Sequence, residues 1–179
     1  MNATQMTTGK VRLSYAHLFK PYAHVDGQTP KYSTTILIPK SDTVTIEKIK
    51  KAINAALETG KNSKWGGKIP KTYHSPLRDG DAEKDDPLYE GCYFMSCNAN
   101  ADRKPTIYDL SLNEILDPNE VYSGCYARVN INFYPYSASG NNGIAVGLNM
   151  VQKVADGDKL GGSSVSASEA FADDDDLLD

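Results

Sequence analysis

Residues 124–136, GCYARVNINFYPY, constrain the fold of this chain more than any other stretch. Cys125, Ala127, Val129, Ile131 and Phe133 alternate with Tyr126, Arg128, Asn130, Asn132 and Tyr134. Successive side chains of a strand point to opposite faces, so the segment predicts a strand with one dry side and one wet side. Ile144, Val146, Leu148 and Met150 repeat the period after SASGNNG, a Gly/Asn/Ser loop suited to a hairpin, so the two strands should pair antiparallel. Upstream, Val11, Leu13 and Tyr15 alternate with Lys10, Arg12 and Ser14. Tyr32, Thr34, Ile36 and Ile38 alternate with Lys31, Ser33, Thr35 and Leu37. Both read as strands joined across residues 20–30, and GCYFMSC at 91–97 reads as a further short one.

One segment has a different period. Ile46, Ile49, Ile53, Ala56 and Leu57 recur at helical spacing, after Ser41, Asp42 and Thr43 as capping candidates and before Gly60. Its exposed face carries Lys48, Lys50 and Lys51, as a solvated helix face does. About five or six strands around one inserted helix predict a mainly β fold, an OB-type antiparallel barrel, with a β-sandwich as runner-up. The stretch 61–90, crowded with Pro, Gly and charge, is expected to be a long loop. Cys92, Cys97 and Cys125 form neither a disulfide framework nor a zinc ligand set, and read as small buried hydrophobes.

Charge divides the chain. Residues 10–78 carry 13 Lys/Arg against 4 Asp/Glu, residues 79–120 carry 3 against 11, and the last 17 residues carry 6 acids and no base. The pI near 5.4 is thus no argument against a polyanionic partner, because the field of a local basic patch decides binding. The chain divides into a domain over 1–162 and a flexible acidic tail over 163–179. The tail cannot bury enough apolar surface to offset its ordering entropy. Phe171, Leu177 and Leu178 set among Asp173, Asp174, Asp175, Asp176 and Asp179 suggest a partner-binding motif rather than a solubility appendage. No apolar run is long enough for a bilayer and the N-terminus lacks a secretory pattern, so a cytoplasmic protein without a membrane partner is expected.

Catalysis has little support. The acids Asp79, Asp81, Glu83, Asp85 and Asp86 offer a metal-dependent nuclease or resolvase as an alternative, but their spacing fits no calcium loop, and neither HExxH nor a P-loop is present. No metal, cofactor or enzymatic activity is expected, and His17, His24 and His74 stand at no telling offset from a nucleophile. Binding of a single strand needs cations for phosphates beside flat rings for unpaired bases. Tyr126, Arg128 and Tyr134, with Asn130 and Asn132 between them, supply both on a strand whose opposite face is already apolar. Lys10, Arg12 and Lys31 extend the set, and so do Trp65, Lys68, Lys71, Tyr73 and Arg78 in the long loop. Tyr15 and Tyr32 share a face with apolar residues and are expected to be buried. Trp65 is open to a second reading, as the cap of a small loop core. A structural adaptor that acts through its tail and binds no nucleic acid is a third class of reading.

The ordered run of GKVRLSYAHLFKPY, KYSTTILIPKSD, PLRDGD, YEGCYF, VYSGCYARVNINFYPY and GIAVGLNMVQKV resembles the OB-fold single-stranded-DNA-binding proteins of tailed bacteriophages, over nearly the whole chain. The resemblance implies a non-catalytic protein that coats single-stranded DNA with little sequence preference during phage replication, recombination and repair, in the host cytoplasm. It also implies a tail that docks replication or recombination proteins and shields the binding groove. The tail lacks the terminal proline-phenylalanine pair of the bacterial pattern. A homodimer is left open, and PLRDGD is either a tight loop held by Arg78 with Asp79 or Asp81, or a DNA contact.

Overall fold

The computed structural model describes residues 1–160. The boundary expected at 162 and every tail residue named above lie outside the described residues. The elements are β1 (Gln5–Thr7), β2 (Val11–Tyr22), β3 (Lys31–Pro39), α1 (Thr43–Ser63), β4 (Arg78–Asp79), α2 (Gly80–Glu83), a 3-10 turn (Pro87–Tyr89), β5 (Cys92–Asn100), β6 (Thr106–Tyr108), β7 (Tyr126–Ala138) and β8 (Asn141–Ala155). Among the described residues no helix is long and apolar enough to cross a membrane.

Pairing runs β7–β2–β3–β5–β8 and returns from β8 to β7, so five strands close on themselves. Every step is antiparallel except β5 with β8, which is parallel. This cyclic order is an OB-type barrel rather than two stacked sheets. The expected hairpin is present: Ala138 pairs with Asn141 around Ser139 and Gly140, both at positive φ, as a two-residue turn between twisted strands requires. Val129, Ile131 and Phe133 of β7 meet Leu13, Ile36, Ile38, Val146 and Leu148 in one core. The helix buries Ile46, Ile49, Ile53, Ala56 and Leu57 and packs chiefly on β7. Its cap is Asp42, whose side chain accepts from Thr45 N.

Four expectations change. The helix continues a turn past Gly60, which is buried because Trp65 and Pro135 lie 2.5–2.8 Å from where a Cβ would stand. Residues 61–90 hold β4, α2 and the 3-10 turn instead of a plain loop. Tyr32 is buried as expected, but Tyr15 is 62% exposed: the β2 register slips between Ser14 and His17, and Tyr15 takes φ 47°. Met150 leaves the dry face for the same kind of reason. The β7–β8 register shifts after the Asn130–Met150 pair, so Val151 takes the buried position and Met150 points out. Leu37, on the opposite face of β3 from Ile36 and Ile38, sits in a second small core with Tyr89 and Phe94.

Cys97 and Cys125 are buried and Cys92 is half-buried. Burial alone pushes the Cys97 thiol up to about 12, which keeps it protonated and inert.

Candidate nucleic-acid interface

Strand register brings one transverse row of side chains to the outer surface of the barrel. His17 pairs with Ser33, Ser33 with Asn98, Asn98 with Gly147 and Gly147 with Asn132. Directly opposed residues share a face, so the row crosses β2, β3, β5, β8 and β7 over roughly 19 Å at the usual interstrand spacing. Its floor is small and polar, and at Gly147 there is no side chain at all. That leaves Tyr134 Cε1 only 3.7 Å from where a Cβ would stand.

A groove of about 710 Å³ lies over this row. Lys31, Asn98, Arg103, Lys104, Asn132 and Tyr134 line it, and Asn149 stands at its edge. Asp102 lines the groove as well, but among the described residues no carboxylate forms an ion pair with Lys31, Arg103 or Lys104, so the lining keeps an excess of positive charge for a polyanion. Lys104 Nζ lies 5.8 Å over the Phe19 ring, which holds it at the rim. Tyr134 is 42% exposed although its neighbours Phe133 and Pro135 are buried. At the other end of the row His17 stacks on Tyr22 with centroids 4.2 Å apart, and His24 meets both rings edge-on. Tyr22 is paired across the strands with Lys31. Burial, and then the nearby His24, lowers the His17 pKa and keeps it neutral near pH 7.

The structure divides the sequence-derived set. It brings Lys31, Asn132 and Tyr134 together in the groove. Asn130 lies beside it but is occupied, accepting from Gln5 Nε2 and Asn149 Nδ2 and donating to Thr7 Oγ1. Arg128 donates through Nε to Thr8 O. Tyr126 lies at the far end of β7, with Lys10 and Arg12 over its ring at 5.3 and 5.6 Å. Arg12 is itself bound to the carbonyls of Gly124 and Asp158. Lys68 and Lys71 line a separate hollow of about 480 Å³ with Trp65, beside the β7–β8 turn. Trp65 and Tyr73 pack on the main core. The Trp65 Nε1 is buried without a partner. His74 fastens this segment to β8 by donating to Asn142 O and accepting from Ile144 N.

Arg78 is held within its own loop. It donates to Glu83 Oε1 through Nε and Nη2 and stacks 5.1 Å from the Phe94 ring. The partner is therefore neither Asp79 nor Asp81, which both bind Lys40 Nζ at 2.7 Å. Gly80 is required between them, because a Cβ there would meet the Tyr89 and Cys92 carbonyls at 2.4 and 2.6 Å. PLRDGD is thus a clamp that fixes the 78–92 segment. Its hydrogen bonds to Lys40 hold Asp79 and Asp81 below the usual carboxylate range, and Arg78 does the same to Glu83. Acids neutralised in this way are poorly placed to ligate a metal. Among the described residues no group of three His, Cys, Asp or Glu side chains is arranged as a metal site.

Sequence reasoning missed Arg103, Lys104, Asn98 and Asn149, together with the rings of His17, Tyr22 and His24. The signal for the first two was the RKP run at 103–105, hidden inside a stretch of strongly negative net charge.

Comparison with known proteins converges on one family. Residues 4–178 match the family described as Enterobacter phage Enc34, ssDNA-binding protein. Protein p50 of Acyrthosiphon pisum secondary endosymbiont phage 1 is 36% identical over 174 residues, which span 91% of this chain and 90% of the relative. The single-stranded DNA-binding protein of bacteriophage Enc34, solved in complex with ssDNA, superposes with a TM-score of 0.76 at 30% identity, covering 89% of this chain and 91% of that one. A single-stranded DNA-binding protein of bacteriophage T7 shares the fold at 16% identity and a TM-score of 0.62, covering 94% of this chain and 93% of that one.

Proposed function

The chain belongs to the Enterobacter phage Enc34 ssDNA-binding protein family, and we propose that it grips single-stranded DNA across the row from His17 to Asn132. The observation that carries this reading is the coincidence, over one floor of small polar residues, of unpaired cations with rings at both ends. Lys31, Arg103 and Lys104 take phosphates. Tyr134 stacks one base at the β7 end, and Tyr22 on His17 stacks another at the β2 end. Ser33 and Asn98, with Asn132 Nδ2 and Asn149 Oδ1, which are not used in the bonds to Thr4 and Asn130, offer hydrogen bonds without a fixed pattern of donors, which suits binding of any sequence. Lys64, Lys68 and Lys71 extend the positive track toward the β7–β8 turn.

The protein acts as a binder and not as an enzyme, coating exposed strands during phage DNA replication, recombination and repair in the host cytoplasm. The acidic tail competes for the groove and docks replication or recombination proteins. Fluorescence anisotropy with a labelled oligothymidine tests the site. Tyr134→Ala and Tyr22→Ala should each weaken binding by about 1–3 kcal/mol. Wild-type affinity in both variants would falsify the assignment. Removal of residues 163–179 should tighten binding at low salt, and an unchanged affinity there removes the shielding role.

A further inference from the structure

The outer surface beyond the groove is unlike the rest of the protein, and its features point to a second copy of the chain. Two hollows flank β1 and share Thr7. The first, of about 390 Å³, is lined by Tyr108, Leu112, Arg128, Asn130, Met150 and Val151. The second, of about 510 Å³, lies between β1 and α1 and includes Met1, Met6, Lys48, Lys51, Ala52 and Ala55. Leu112 and Met150 beside the first, and Met1 in the second, are 68%, 44% and 84% exposed. Leu110 and Leu116 of the same loop are also bare. Clustered exposed apolar side chains of this size mark an interaction surface.

The loop that displays these leucines is built to hold its shape. Leu112 has φ 64°, a conformation unfavourable for a leucine. It is kept there by Asp109, whose side chain accepts from Ser111 N and Asn113 N while its carbonyl accepts from Leu112 N. The turn fixes an exposed apolar side chain in one place, so little ordering is needed when a partner covers it.

Charge selects the occupant. Residues 109–120 carry Asp109, Glu114, Asp117 and Glu120 and no Lys or Arg, while the exposed positions of α1 carry Lys48, Lys50 and Lys51 against Glu47 and Glu58, and of these Lys48 and Lys51 line the second hollow. We propose that two copies associate about a two-fold axis near β1, each laying its acidic leucine loop on the lysine face of its partner's α1. Because the two patches adjoin β1 on either side, one rotation satisfies both contacts, as a self-complementary interface requires. The groove stays open in such a dimer, since Tyr134, Arg103 and Lys104 line neither hollow.

Sedimentation of the full chain tests this. Wild type should run at twice 19.5 kDa. Leu112→Glu should weaken dimerisation at least tenfold, and so should the loop pair Glu114→Lys with Glu120→Lys and the helix pair Lys48→Glu with Lys51→Glu. Each charge-reversed protein repels itself, yet an equimolar mixture of the two should recover heterodimers of wild-type stability. Unchanged ssDNA affinity in each variant verifies that it is folded. A monomeric wild type, dimers indifferent to both reversals, or a mixture that grows beyond two copies would overturn the two-fold arrangement.

Discussion

Tyr126 and Tyr134 stand on the same face of β7, each among polar neighbours, yet their surroundings differ completely. The Tyr126 end is filled by the protein itself. Arg12 and Lys10 cover the ring, Arg128 is spent on Thr8, and residues 156–160 run alongside, with Leu160 N donating to Ser123 O. The Tyr134 end has no such cover: Gly147 leaves the ring room, and the cations that line the groove with it come from β3 and from the loop between β5 and β6. The contrast teaches that composition along a strand nominates a face, while the segments that cross the strand decide which part of it is available. Only the Tyr134 end is thus open to a flexible polyanion, and the protein partner proposed above meets the middle of the strand, where Asn130 pairs with Met150.

The sharpest way to break this contrast is to remove each ring in turn. Tyr134→Ala should lose about 1–3 kcal/mol of single-strand affinity, whereas Tyr126→Ala should stay within about 0.5 kcal/mol of wild type. Equal losses in anisotropy titrations would mean that the two ends act alike. Arg103→Ala and Lys104→Ala should each flatten the dependence of log affinity on log salt by about 0.7 if each holds one phosphate. The corresponding change at Arg12 should leave the slope alone. Gly124→Ala probes the covered end. Gly124 has φ 111°, and a Cβ there would stand 2.0 Å from the Asp158 carbonyl oxygen. Thermal unfolding should show a loss of about 1 kcal/mol or more, with DNA binding retained.

The smallest expected effect concerns pH. His17 has its pKa depressed in the folded state, so the unfolded chain takes up the proton first as pH falls through about 6.5. Stability should therefore decline in that window and level off above it, and His17→Gln should remove this part of the slope. Asp79, Asp81 and Glu83 are also depressed, and their contribution is present above the ordinary carboxylate values and lost at lower pH. Melting curves across the acid range separate the two, since only the first responds to the histidine substitution.

Much of the barrel was legible because its longest strands and its helix carry clean periods. The dry face of β7, the alternation in β3 and the apolar stripe of α1 all lie where the spacing predicted them. What escaped was set by irregularity. A register slip turned Tyr15 outward and another exposed Met150, and neither bulge has a glycine or proline to announce it. β1 and β6 span three residues each, too short for a period. The groove was half legible: Lys31, Asn132 and Tyr134 were named from the chain. Arg103, Lys104 and Asn98 reach them only through cross-strand register, which no local pattern encodes. Counting charge by contiguous stretch also misled, since Arg103 and Lys104 sit in the most acidic part of the folded sequence.

The barrel is sewn unevenly. β7 and β8 match along nearly their full length, but β5 and β8 meet through a single registered pair, Asn98 with Gly147. That thin joint lies directly beneath the groove. A nucleotide chain held across it, as proposed above, would bridge the two lips like a suture, and slower amide exchange on both sides of the seam is the expected signature.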